Sequence, residues 1–381
     1  MSVPSKRCDV LLPELSTPAA LLDLAKLERN LGWMAARAKD LAVRLRPHIK
    51  THKSVHIGRL QTRGQHGGIT VSTFAEATAF ADAGFRDITW ALPIPLSRMA
   101  EVASLSTRVD RLHVLVDHHD AVEALEAHGR CSGVTFDVLL KIDCGNHRAG
   151  VDPRSERAVE LGRRLATSAH VRFRGVLAHG GHAYACTTRA EIERVAQQER
   201  DETVGFAERL RASGVEVETV SIGSTPTMAV ASALPGVTEI RPGNYALFDV
   251  FQATLGVCTL DDVALSVLAT VVGVYPDRNT WVIDAGGLAL SLDPGAVHID
   301  RDGGFGRVIV PGGTDMLRVR SLSQEHGVVE GLDRAGAVRV GDRVRVLPNH
   351  ACMTAAMFPE FNVILDGRCV DRWPLARGWN S

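Results

Sequence analysis

The stretch Arg44-Leu45-Arg46-Pro47-His48-Ile49-Lys50-Thr51-His52-Lys53-Ser54 decides how the rest of the chain is read. At a period of two, Arg44, Arg46, His48 and Lys50 share one face, and Val43, Leu45, Pro47 and Ile49 share the other. A strand apolar on one side and cationic on the other is not ordinary core. Converging cations favour a neutral amine on Lys50, and a neutral lysine amine forms Schiff bases. Solvated charges on a surface strand are the plain alternative.

Working outward, seven more apolar or alternating runs follow the one at 43–50. They lie at 68–72, 87–92, 112–117, 136–143, 172–179, 218–223 and 238–242. Helical composition fills the intervals, as at 75–83, 119–127, 154–166, 189–211 and 226–233, and another helix near 22–41 precedes the first strand. Strands alternating with helices predict parallel βαβ units, and eight such units make a (β/α)8 barrel. A doubly wound open sheet is the competitor, and eight regular repeats favour the barrel. After about residue 255 the pattern changes. Runs at 263–274, 281–284, 307–310, 343–347 and 361–365 read as strands punctuated by Gly, Asp and Pro. The expected fold is α/β. A barrel over 17–253 precedes a C-terminal β-domain over 254–381, with residues 1–16 packing on the latter.

The 381 residues are 45% hydrophobic and 23% charged, as in a globular enzyme, and the net charge of -1 gives no basic excess for nucleic acid or an anionic membrane. No apolar run reaches membrane-spanning length, and the first residues lack the apolar core of a secretory signal. Seven scattered cysteines do not make a disulfide framework. A reducing, cytoplasmic setting is expected.

Residues at the C-terminal ends of barrel strands line the active site of such folds. Lys50 ends strand one. Asp143 ends strand five and leads to His147-Arg148. His179 ends strand six, before Gly180-Gly181-His182-Ala183-Tyr184. Gly223-Ser224-Thr225 ends strand seven and opens a helix, and Arg241-Pro242-Gly243-Asn244 ends strand eight. Hydroxyls, glycine and a helix start suit a phosphate, and barrels often bind one after strands seven and eight. An ordinary helix cap by Ser224 or Thr225 is the alternative. A Schiff-base lysine plus a phosphate site points to pyridoxal 5′-phosphate (PLP). His179 could pack on its ring and Arg241 face its pyridine nitrogen. A core histidine and a rim salt bridge are the competing roles.

Far along the chain, a strand runs into His350-Ala351-Cys352. On an extended segment this spacing puts imidazole and thiolate on one side, and both are zinc ligands. Two protein ligands leave positions open for water and substrate. Softer thiolate ligation suggests zinc, with manganese or magnesium as alternatives.

Together these residues resemble the D-serine dehydratase and D-threonine aldolase family. The motifs are Arg46-Pro47-His48-Ile49-Lys50-Thr51-His52-Lys53-Ser54, Ser221-Ile222-Gly223-Ser224-Thr225-Pro226-Thr227, Glu239-Ile240-Arg241-Pro242-Gly243-Asn244-Tyr245, Gln324-Glu325-His326-Gly327 and Pro348-Asn349-His350-Ala351-Cys352. The resemblance implies an alanine-racemase-like fold, a PLP barrel followed by a β-domain. It implies that Lys50 holds PLP, that Arg148 sits near the phenolic oxygen and that His179 stacks on the ring. Tyr184 and Arg241 join them around the cofactor, and Ser224, Thr225, Gly243 and Asn244 take the phosphate. His350 and Cys352 hold a divalent metal. It also implies a homodimer, and places His326 near the site.

Within the family, His350-Ala351-Cys352 and Gly223-Ser224-Thr225 look like the dehydratases rather than the aldolases. The expected reaction is β-elimination of water from a D-3-hydroxy amino acid such as D-serine or D-threo-3-hydroxyaspartate. Lys50 serves as general base and the metal as Lewis acid at the hydroxyl. The alternative is retro-aldol cleavage of D-threonine. A racemase would need a second base opposite Lys50, and none is assigned.

Overall fold

A computed structural model describes residues 10–312 and 315–379. Eight parallel strands form the barrel: Arg44–Leu45, Ile69–Val71, Asp87–Pro93, Arg111–Val116, Phe136–Lys141, Val171–Leu177, Thr219–Ile222 and Glu239–Ile240. Their order around the sheet is one, eight, seven, six, five, four, three, two. The ring closes between strands one and two, where His48 bridges Thr70 and the Thr70 N–H donates to Pro47 O at 2.9 Å. Helices follow the strands, among them Val55–Thr62, Phe74–Asp82, Met99–Ser106, His119–Ser132, Glu156–Thr167 and Arg189–Ala212. Capping boxes start two of them, at Thr73 with Glu76 and at Thr188 with Glu191.

The barrel interior is partly polar. Arg46, 2% exposed, donates from Nε to Glu239 at 2.8 Å and from Nη1 to Asp87 at 2.6 Å. Ser221 Oγ donates to Glu239 at 2.6 Å and accepts from Arg241 Nη1 at 2.6 Å. This column runs up the barrel to its mouth. Burial disfavours the Glu239 charge, but Arg46 outweighs it and holds the carboxyl at about 2. The cationic face read from the sequence is therefore divided. Arg46 is a paired interior residue, while the Arg44 side chain is 41% exposed.

A second sheet of ten strands carries the C-terminal segments. Leu265–Tyr275 is its spine, pairing antiparallel with Thr280–Ile283, Arg343–Leu347 and Ala19–Asp23. Three expectations change here. The helix near 22–41 is Leu24–Asp40, capped by Asp23, and the residues before it form the strand Ala19–Asp23. That strand, inside the range assigned to the barrel, belongs to the C-terminal sheet. It is buried on both faces, so it lacks the alternation that marks a strand. Met316–Leu322, Gly327–Glu330 and Arg368–Pro374 are further strands not anticipated. Residues 1–9 lie outside the described residues, and Val10–Leu11 pairs with Arg368–Pro374. Among the described residues, no helix is long and apolar enough to cross a membrane.

Candidate active site

A cavity of about 670 Å³ opens where the barrel strands end. Lys50, Arg148, His179, Tyr184, Ser224, Thr225, Arg241, Gly243 and Asn244 line it from the barrel side. Asp293, His350, Cys352 and Met353 line it from the β-domain. Its size suits a cofactor with a small substrate.

Lys50 is not on a strand. Pro47 and His48 end the pairing, and Ile49–Thr51 forms a 3-10 turn whose start is capped by His48 Nδ1, 3.4 Å from the Lys50 N–H. The turn carries Lys50 into the cavity at the point where the period-two pattern stops. Burial lowers the Lys50 pKa; Cys352 opposes this and Arg148 reinforces it. Burial, followed by the charge of Lys50, also drives His48 and His179 well below the usual histidine range. His179 is thus a neutral ring at the cavity wall. Arg241 donates to Ala178 O as well as to Ser221, and burial lowers its pKa to about 10, so it stays charged near neutrality.

Ser224 is the N-cap of the helix Thr225–Val230 and forms a capping box with Thr227. Capping therefore occupies part of its hydrogen-bonding capacity, while Thr225 Oγ1 accepts from the Tyr245 N–H at 3.1 Å. Next to this helix start, a Cβ on Gly243 would sit 2.6 Å from His48 O and 2.9 Å from His48 Cβ. Only glycine lets the loop after strand eight approach the lysine turn so closely. Hydroxyls, close backbone and Arg241 beside a lysine suit a phosphorylated aldehyde cofactor.

His350 precedes the helix Ala351–Met357, and Cys352 lies in its first turn, so the pair is not on an extended segment as the spacing suggested. A helix start still brings them together. His350 Nδ1 is 2.6 Å from Asp293 Oδ2, which leaves Nε2 for Cys352 or a metal. Burial opposes charge on both groups, but hydrogen bonding outweighs it. Asp293 and Cys352 raise the His350 pKa, and His350 lowers that of Cys352. Cys352 Sγ also lies 3.3 Å from Thr51 Oγ1, one residue from Lys50. Among the described residues no group of three or more His, Cys, Asp or Glu is arranged to hold a metal. The donor set fits an ion with two protein ligands and open positions.

His326, expected near the site, is exposed in the turn between Met316–Leu322 and Gly327–Glu330 and does not line the cavity. The two ring nitrogens of His182 are buried without a hydrogen-bond partner, and this residue too is absent from the cavity wall. Sequence reading missed Asp293 and Asp249. Asp293-Pro294-Gly295 reads as a turn, and nothing local ties it to His350. Asp249 could have been found only as a helix cap.

An alanine racemase N-terminal domain model matches residues 22–249, and a serine dehydratase domain model matches 264–364. The chain is 39% identical to the D-threo-3-hydroxyaspartate dehydratase of Delftia sp. over 96% of its length and 98% of that enzyme. The structure of that enzyme superposes with a TM-score of 0.92, covering 97% of this chain and 100% of the other. It has also been solved as a cysteine-to-alanine variant in a metal-free form. The D-serine dehydratase of Dictyostelium discoideum is 37% identical over 92% of this chain and 93% of its own. A D-threonine aldolase from Filomicrobium marinum is 29% identical, with a TM-score of 0.85 over 97% of this chain and 98% of its own. With a barrel, a β-domain and full-length relatives of both kinds, the chain belongs to the alanine-racemase-like family of D-serine dehydratases and D-threonine aldolases.

Proposed function

We propose that the chain is a PLP- and divalent-metal-dependent dehydratase of D-3-hydroxy amino acids. It would convert D-serine or D-threo-3-hydroxyaspartate to a 2-oxo acid and ammonia. The observation that carries this is the convergence of Lys50, the strand-seven and strand-eight loops and the His350–Cys352 pair on one cavity. Lys50 would bind PLP, with Ser224, Thr225, Gly243 and Asn244 at its phosphate. Arg148, His179, Tyr184 and Arg241 would surround its ring. His350 and Cys352 would hold the metal, zinc by ligand softness. When bound, PLP supplies an electron sink for the substrate carbanion, and the metal supplies Lewis acidity at the β-hydroxyl.

The chain's own residues do the rest. Burial favours the neutral Lys50 amine, so Nζ can take the proton from substrate Cα. Neutral His179 packs without adding charge. Arg241, charged at the barrel mouth, would disfavour a proton on the pyridine nitrogen if it faces that end of the ring. Asp293 fixes the His350 tautomer. The net change would be loss of the α-proton and the β-hydroxide as one water, and the released enamine would take up water to give the 2-oxo acid and ammonia.

We also propose a cytoplasmic homodimer. Leu288, Leu292 and Met353 are 55%, 68% and 48% exposed beside the cavity, and a second copy would cover them. Sedimentation as a monomer would remove that part. The Filomicrobium marinum relative keeps retro-aldol cleavage as the second reading. Incubation with D-serine, D-threo-3-hydroxyaspartate and D-threonine separates the two. Ammonia with pyruvate or oxaloacetate supports elimination, whereas glycine with acetaldehyde refutes it. The visible band of lysine-bound PLP should vanish in Lys50→Ala.

A further inference from the structure

Asp249 is 1% exposed and stands between the two halves of the site. Its Oδ1 accepts the Gln252 N–H at 2.9 Å and caps the helix Val250–Thr254. A cap needs one oxygen. The other, Oδ2, accepts from Asn244 Nδ2 at 2.7 Å and from the Ala351 N–H at 2.9 Å. Asn244 follows Gly243 in the loop after strand eight. Ala351 separates the metal ligands His350 and Cys352. One carboxylate oxygen therefore holds the phosphate loop and the metal loop together.

The neighbouring backbone strengthens the link. The Val250 N–H donates to Pro348 O at 3.0 Å, and the Phe251 N–H donates to Asn349 O at 3.2 Å. On the other side, the Tyr245 N–H reaches Thr225 Oγ1, joining the loops after strands seven and eight. The carboxylate is buried, so water does not readily replace a lost partner. Moving either donor then costs the full desolvation of the group left behind.

We propose that Asp249 is a positioning residue that couples the phosphate loop to the metal loop, so that PLP and the metal each bind more tightly in the presence of the other. This rests on the PLP-and-metal reading of the site. Linkage requires the two effects to be equal, and couplings of this kind are typically about 5-fold or more.

The test uses the full chain stripped of cofactor and metal. PLP is titrated with and without saturating zinc, and zinc with and without PLP. Zinc should tighten PLP by about 5-fold or more, with the same factor in the reverse titration. Pyridoxal, which lacks the phosphate, should show no zinc effect. Asp249→Ala should weaken both ligands and bring the factor to one. The proposal is overturned if wild type shows no coupling, if pyridoxal couples as strongly as PLP, or if Asp249→Ala keeps the full factor. Should the variant not fold, the PLP–pyridoxal comparison on wild type decides. Wild type that binds neither PLP nor zinc removes the functional reading itself, and the coupling with it. Binding of both without coupling removes only the coupling.

Discussion

Gly243→Ala puts the site's closest approach under direct strain. The added Cβ would lie 2.6 Å from His48 O, where ordinary contact begins at 3.4 Å, so about 0.8 Å must be recovered. The oxygen belongs to backbone and cannot rotate away, and the His48 N–H is itself bonded to Pro242 O at 3.0 Å. The loop after strand eight must therefore move away from the lysine turn. Overpacking of this kind costs about 1–3 kcal/mol. Much of that should appear as lost cofactor affinity, because the displaced loop carries Asn244 while Lys50 stays in place. A loss of about 1.4–2.8 kcal/mol corresponds to a dissociation constant roughly 10- to 100-fold higher. Titrating apoprotein with PLP and following the visible absorbance gives that constant, and thermal unfolding gives the stability. Gly32→Ala is the matched control. It lies in the helix Leu24–Asp40 with nothing within 4 Å of the new Cβ, so it should stabilise by roughly 0.5–1 kcal/mol and leave PLP binding alone. If Gly243→Ala bound PLP like wild type with an unchanged melting temperature, the close-approach reasoning would be wrong.

If His350 holds zinc as proposed, Asp293→Ala should weaken zinc about 10- to 100-fold by freeing the His350 ring, measurable by calorimetric titration; unchanged zinc affinity would show that the 2.6 Å contact does not orient His350. Glu239, held at about 2 by Arg46, should make stability pH-dependent. Its folded pKa lies below the unfolded value of about 4.3, so its contribution is full above that value and disappears as pH falls toward 2. Urea midpoints should fall across this window, and Glu239→Gln should flatten that fall while costing about 3–5 kcal/mol at neutral pH; parallel pH profiles for the two proteins would rule this out. Glu199, fully buried, accepts the Gly180 N–H at 2.6 Å and the Gly223 N–H at 2.9 Å through Oε1. Glu199→Ala leaves both donors unpaired, at about 1–3 kcal/mol each. A denaturation midpoint equal to wild type would contradict that.

The barrel was legible because its strands recur at regular spacing and its site residues fall where those strands end. Lys50, His179, Ser224, Gly243 and His350 line one cavity although they are scattered over three hundred positions. What stayed hidden was non-local. Ala19–Asp23 is buried on both faces, so it reads like the helix that follows it. Arg46 shares the cationic face of Lys50 in the sequence, yet its partners Asp87 and Glu239 come from strands three and eight and make it structural. Asp293 and Asp249 act through contacts 57 and 102 positions away in the chain, and no local pattern signals such a pair. His326 sits in a recognisable motif, but a motif does not state which way its turn faces.

The strand Ala19–Asp23 has a further consequence, for how the chain comes off the ribosome. It lies parallel to Glu360–Leu365, and Asn362 Nδ2 donates to Ala20 O, 342 positions back. All eight barrel strands are made while this early strand still lacks that neighbour. Until Glu360–Leu365 emerges, that edge of the early strand is open to any other strand in reach. The barrel strands are thus all present early, whereas the β-domain closes only once Glu360–Leu365 has emerged. Stalled or C-terminally shortened chains would carry an early strand with an open edge, which is prone to association between nascent copies.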